Sequence, residues 1–185
     1  MADNSAMKQQ QLLSELNKKE FGKHNLMAYN NVADFRRLYV SVCKERLENN
    51  EIVLILPYYE TVDSIEQQLE NDGVDTNHYK RDGSLFIVDA VQQFFGSGYD
   101  FAKFLELLDD GAVKTGKVGV FVIAYLDSFF LYGDNREKLI EYEKTISKIK
   151  LVHTILICAY HEARFASFSD DTKQLLRRLH NITVQ

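Results

Sequence analysis

The residues of this chain that could do chemistry sit where short apolar runs end. The exits are Tyr29–Asn30–Asn31, Pro57–Tyr58–Tyr59–Glu60, Asp89, Tyr125–Leu126–Asp127–Ser128 and Cys158–Ala159–Tyr160–His161. If the runs are parallel strands, their carboxyl ends share one edge of a sheet, where ligands of open α/β sheets bind. Tyr29, Tyr58, Tyr59, Tyr125 and Tyr160 would then wall an apolar pocket, with Glu60, Asp127, Cys158 and His161 as its polar handles. The competing reading is that the tyrosines plug the top of the sheet and keep their hydroxyls in water. Cys158 and His161 are three apart, and His24 could approach from a neighbouring strand, which suggests thiolate or metal chemistry. Zinc, however, wants three or four ligands at recognisable spacing, and neither CxxC nor HxxxH occurs. The expectation is therefore no catalytic residue, no metal and no cofactor.

Nucleotide chemistry fails for a separate reason. A loop that cradles phosphate needs glycines to bring backbone N–H groups close, and a lysine; YNNVADFRRLY (29–39) has neither. A dinucleotide fingerprint fails at the same place. His78 and His153 read as element-edge residues, and His180 as a solvated helix-end residue that complements the helix dipole.

The elements that must position these residues alternate regularly. HNLMAY (24–29), IVLIL (52–56), LFIVDA (85–90), VGVFVIAY (118–125) and TILICAY (154–160) are near-continuous apolar runs, as strands covered on both faces require. Between them, apolar residues recur at three and four: Phe35, Leu38, Tyr39 and Val42; Val62, Ile65 and Leu69; Phe101, Phe104, Leu105 and Leu108; Leu139, Tyr142, Ile146 and Ile149. A last helix near 170–180 carries Leu175, Leu176 and Leu179. Gly73 marks a left-handed helix terminator, and Asp134 with Glu137 a capping box. Five strands alternating with helices predict a three-layer α/β sandwich with right-handed crossovers.

Composition bounds the rest. At 185 residues, 45% apolar and 26% charged, the chain is long and apolar enough for one packed domain. The net charge of −5, with signs interspersed, argues against nucleic-acid binding by a basic face. Two cysteines make no disulfide framework and point to a reducing cytoplasm. No apolar run reaches the length of a membrane span. Residues 1–23 form a polar, partly helical appendage whose stripe of Met7, Leu12, Leu13 and Leu16 must bury itself against the body or another chain. It is too short for a helix-turn-helix head. Residues 24–185 form the domain proper.

Read in order, these blocks resemble the MEDS sensory domain, the methanogen/methylotroph DcmR-type sensor. HNLMAY (24–29) matches its histidine-led strand ending in tyrosine, and RLENNE (46–51) its helix-ending turn. GVD (73–75), DGSLFIVDA (82–90), GYDFAKFLELL (98–108), EYEK (141–144) and LICAYHEARF (156–165) follow in the family's order. Departures are Asn49–Asn50, where the family often has glycine, and AYLDSFF (124–130), where it more often carries an arginine-rich segment. A second resemblance is to KaiC/RecA-like ATPases, to which MEDS domains look related. There Glu60 stands where those enzymes place a catalytic glutamate, and Asp127–Ser128 where their Walker B strand ends, while the Walker A loop is missing.

The resemblance implies a RecA-like sheet of order near 3-2-4-5-1 and a non-catalytic cytoplasmic sensor for a small, largely apolar ligand, such as a hydrocarbon derivative. It also singles out His24 and Glu143. Because His24 starts its strand, it falls at the edge opposite the exits, so a structural role holding a carboxylate or a backbone carbonyl is expected rather than a ligand role, with Glu143 one candidate partner. The alternative function is a degenerate KaiC-like interaction module that self-assembles or regulates an active ATPase.

Overall fold

The computed structural model describes residues 10–96 and 100–184. A helix α1 (residues 10–16) leads into β1 (Lys23–Tyr29), α2 (Val32–Glu48), β2 (Ile52–Leu56), α3 (Val62–Asn71), α4 (Thr76–Arg81) and β3 (Leu85–Ile87). A π-helical turn (Gln92–Gly96) precedes α5 (Phe101–Lys114) and β4 (Val120–Tyr125). A 3₁₀ turn (Leu126–Phe130), α6 (Arg136–Ile146), β5 (Thr154–His161), α7 (Glu162–Ala166), α8 (Asp170–Leu179) and β6 (Ile182–Val184) complete the chain.

All strand pairs are parallel, in the order β3-β2-β4-β5-β1-β6. The expected order of the first five strands is present. The sixth strand, at the edge beside β1, has only Ile182, Thr183 and Val184 to announce it, too short a run to separate from a chain end. β3 stops at Ile87 rather than residue 90, because the Asp89 carboxylate accepts the Gln92 N–H at 2.8 Å and turns the chain into the π-helical segment.

Every residue of β2 and β4 is buried, as strands covered on both faces require. One face presents Met27, Tyr29, Val53, Ile55, Phe121, Ile123 and Tyr125 to α2 and α3, where Phe35, Tyr39, Val42 and Ile65 meet them. The other presents Leu26, Leu54, Val122, Ala124, Cys158 and Tyr160 to α5, α6 and α8, through Leu105, Leu139, Ile146 and Leu176. Each such aliphatic side chain removed from water contributes about 1.5–3 kcal/mol.

Helix starts follow the capping rule: Asn31, Thr61, Asp100 and Ser169 each accept a backbone N–H from the first turn. α6 departs from the expected capping box. Its cap is Asn135, with no side-chain bond, and Asp134 instead accepts the Arg136 N–H at 3.2 Å and pairs with that residue's guanidinium. Gly73 terminates α3 at φ +84°, as its position predicts.

The amino-terminal stripe is part of the core. Leu12 and Leu16 are buried on the α2 face, while Met7 lies outside the described residues. Arg46, only 1% exposed, donates to the carbonyls of Leu16 and Lys18 and pairs with buried Glu51, which fastens the segment to α2. Among the described residues no helix is long and apolar enough to cross a membrane.

Candidate functional site

The carboxyl edge is filled by aromatic rings. Tyr29 stacks on Phe35 at 4.8 Å and meets Tyr125 and His161 edge-on at 5.4 and 5.5 Å. Tyr59, 47% exposed, closes over Tyr58 and Tyr125. Beneath them Asp127 Oδ2 accepts the Tyr29 hydroxyl at 2.9 Å and the His161 N–H at 2.8 Å. Burial pushes the Asp127 carboxyl up, against the pull of those two donors. Burial and the neighbouring Asp127 push the Tyr29 hydroxyl up as well, so it stays a donor. Glu60 is held by an ion pair with Arg36 of α2, and Asn31 by its capping bond. Aromatic side chains thus occupy the loop where a phosphate cradle would have to lie.

The single tyrosine-walled pocket expected at this edge is not formed. Tyr29 pairs in register with His161, and Ala28 with Tyr160. Successive strand residues point to opposite faces, so Tyr29, Tyr125 and His161 share the α2 face while Cys158 and Tyr160 turn to the α6 face. Tyr58 packs against both cores. For the same reason Cys158 and His161 do not make a nucleophile–base pair.

Cys158 and Tyr160 belong instead to a second buried cluster, centred on Glu143 of α6. His24 Nε2 stands 3.2 Å from Glu143 Oε2 and 3.2 Å from Cys158 Sγ. His180 Nε2 stands 3.4 Å from the same Oε2. The Tyr160 hydroxyl donates to Glu143 Oε1, and the Cys158 thiol lies 3.9 Å from Oε2. The contact expected between His24 and Glu143 is therefore present. His180 corrects the sequence reading: it is 8% exposed rather than solvated. The unrecognised strand β6 draws it in, because His24 N–H donates to Asn181 Oδ1 and Asn181 N–H to the His24 carbonyl, each at 2.7 Å. His24 and His180 pack ring on ring, centroids 4.0 Å apart.

Burial would raise the Glu143 carboxyl, but the charge of His180 foremost, then its hydrogen bond and the His24 ring, hold it well below the usual carboxylate range. His180 is raised, because Glu143 outweighs its desolvation; His24 is lowered, because desolvation outweighs Glu143. Burial, with Glu143 beside it, pushes the Cys158 thiol up. The two imidazoles therefore shift in opposite directions around one carboxylate, His180 up and His24 down.

Beside α6, a cleft of about 470 Å³ was missed by the sequence reading. Phe94 and Phe95 of the π-helical turn, Phe101 of α5, Phe129 and Tyr142 line it, with Lys138, Glu141 and Thr145 at its polar side. Phe94 lies 4.9 Å from Phe129, 5.2 Å from Tyr142 and 5.3 Å from Phe101, ring centre to ring centre. The Tyr142 hydroxyl is buried without a hydrogen-bond partner among the described residues. Burial, then Cys158 and Glu143, push it up. The paired aromatics FF at 94–95 and 129–130 were the available signal, but core packing explains such pairs equally well.

A family model described as the methanogen/methylotroph, DcmR sensory domain (MEDS) matches residues 23–181. The chain belongs to the MEDS family. No curated protein matches it. Among solved structures, a KaiC-like protein from Pyrococcus horikoshii is 16% identical, with a TM-score of 0.57 over 84% of this chain and 70% of that one. An uncharacterized protein from the same organism, crystallised with an unknown peptide, is 14% identical, with a TM-score of 0.67 over 94% of this chain and 81% of that one. At these identities the likeness is one of fold: this MEDS domain is built on a KaiC-like, RecA-like sheet.

Proposed function

We propose that this MEDS domain is a non-catalytic cytoplasmic sensor that takes a small, largely apolar ligand into the aromatic cleft between the π-helical turn, α5 and α6. The observation that carries the reading is Tyr142, which lines that cleft and whose hydroxyl is buried without a partner among the described residues: a buried polar group without a partner is costly, and a ligand's polar end would satisfy it. Phe94, Phe95, Phe101 and Phe129 supply apolar walls, and π-helical turns recur at functional sites. A signalling role follows from the family. Against nucleotide hydrolysis stand the aromatic filling of the β1–α2 loop and the engagement of Asp127 and Glu60 by protein donors. The reading needs no nucleic acid, membrane or cofactor; the partner that receives the signal is a protein or a second copy of the chain.

The test is a melting series with small alcohols, ketones and halogenated hydrocarbons, alongside ATP·Mg²⁺. Concentration-dependent stabilisation by an apolar compound is expected, and Tyr142→Phe should weaken binding of compounds with a polar end roughly three- to tenfold. Stabilisation by ATP alone would overturn the reading. Indifference to all the compounds, with elution as an oligomer, would establish the interaction module in its place.

A further inference from the structure

We propose that His24, Glu143, Cys158 and His180 form a closed, four-coordinate site for a zinc-class divalent cation. Their ligand atoms all lie within 4.8 Å of one another, and all four residues are buried or nearly so. The separations that define the group run between the same four atoms: 3.2 Å from His24 Nε2 to Cys158 Sγ, 3.2 Å from His24 Nε2 to Glu143 Oε2, 3.4 Å from His180 Nε2 to that Oε2, and 3.9 Å from Cys158 Sγ to it. A tetrahedron built on zinc bonds of about 2.0–2.3 Å has edges of roughly 3.3–3.8 Å. Those four separations lie within a few tenths of an ångström of such edges, and no pair of ligand atoms in the group is more than 4.8 Å apart.

The surroundings orient each ligand. The His180 Nδ1–H donates to the Leu176 carbonyl at 2.7 Å, which turns Nε2 inward, and that nitrogen is buried with no aligned hydrogen bond among the described residues. Tyr160 occupies Glu143 Oε1 and leaves Oε2 to the site. Such outer hydrogen bonds are what hold metal ligands in place. Two imidazoles, a thiolate and a carboxylate form a borderline-soft set that suits zinc better than magnesium or calcium. As the ion enters, the Cys158 thiol proton and any proton on His180 Nε2 pass to solvent, since a metal ligand must be deprotonated, and the carboxylate and thiolate then offset the dication. Access is through a cleft of about 210 Å³ between Gly22, Lys23, Ser147 and Leu179, which reaches His24, the one ligand whose side chain is 12% exposed. Because the ligands come from β1, α6, β5 and the end of α8, no short-range spacing motif announces them.

The whole chain, stripped with a chelator, should take up one Zn²⁺ per chain after dialysis against the metal alone, measured by elemental analysis. Co²⁺ in its place should give the intense visible bands of a tetrahedral site and a thiolate-to-cobalt charge-transfer band. Cys158→Ser should abolish the charge-transfer band while Cys43→Ser keeps it, and Tyr160→Phe should weaken the metal roughly 10- to 100-fold. The wild-type cobalt spectrum alone decides the matter if a variant fails to fold. A pale octahedral spectrum, zinc well below one ion per chain, or a charge-transfer band that survives Cys158→Ser would overturn the proposal.

Discussion

Two of the buried carboxylates, Asp127 and Glu143, lie on opposite faces of the sheet and are treated in opposite ways. Asp127, on the α2 face, is met by a tyrosine hydroxyl and a backbone N–H, neutral donors that only partly offset its desolvation, so its carboxyl is pushed up. Glu143, on the α6 face, is met by two imidazoles, and its carboxyl is held down. Asp127 ties Tyr29 of β1 to the His161 end of β5 and so closes the carboxyl edge of the sheet. Glu143 organises side chains of the types that bind metals. The difference shows that partners, more than depth of burial, decide whether a buried acid acts as a plug or as a charged centre.

The sharpest way to break this comparison is Glu143→Gln. It removes the carboxylate that both imidazoles and the Tyr160 hydroxyl face, and breaking a buried ion pair costs about 3–5 kcal/mol. Urea denaturation of chelator-treated protein measures it, and a loss under about 1 kcal/mol would show that Glu143 and the imidazoles interact as neutral hydrogen-bonding groups.

His24→Ala should lower stability by up to about 3 kcal/mol, since Glu143 loses one of two imidazole neighbours. Affinity for an apolar ligand in the aromatic cleft should change little. Unchanged melting with abolished ligand binding would mean that His24 touches the ligand.

On the other face, Tyr29→Phe removes one of the two donors to Asp127 and should cost about 1.5 kcal/mol, read from the same denaturation curves. A neutral result would mean that the plug is held by ring packing alone.

The smallest effect belongs to Asp127→Asn, whose amide oxygen can still accept from Tyr29 and His161. Between the ordinary aspartate value of 3.8 and the raised folded value, the folded protein keeps a proton that the unfolded chain has shed. The contribution of Asp127 to stability is therefore present at low pH and lost as pH rises through that window. The Asn variant, having no such proton, should gain on the wild type as pH rises from below 4 to neutrality. A gap that stays constant with pH would show that Asp127 titrates normally.

The sheet was legible in the sequence because strands buried on both faces need runs such as IVLIL and VFVIAY, and few other structures tolerate them. The helices were legible from their three-and-four spacing, and the family resemblance singled out His24 and Glu143, whose contact the strand-start position of His24 offered as one of two possibilities beside a backbone carbonyl. The sorting of the site residues was not. Strand ends can be read from sequence, but the face a side chain takes depends on register. Pairing Tyr29 with His161 rather than with Tyr160 sends Cys158 and Tyr160 to the far side. His180 looked like a solvated helix end because the three residues of β6 are too few to see, yet that strand lays it against β1 beside His24. The aromatic cleft likewise depends on a π-helical turn with no sequence signature. Local periodicity is a property of neighbouring residues and is written in the chain. Which side chains meet across the sheet is decided by hydrogen-bond register and by short edge contacts, which exist only once the whole domain has packed.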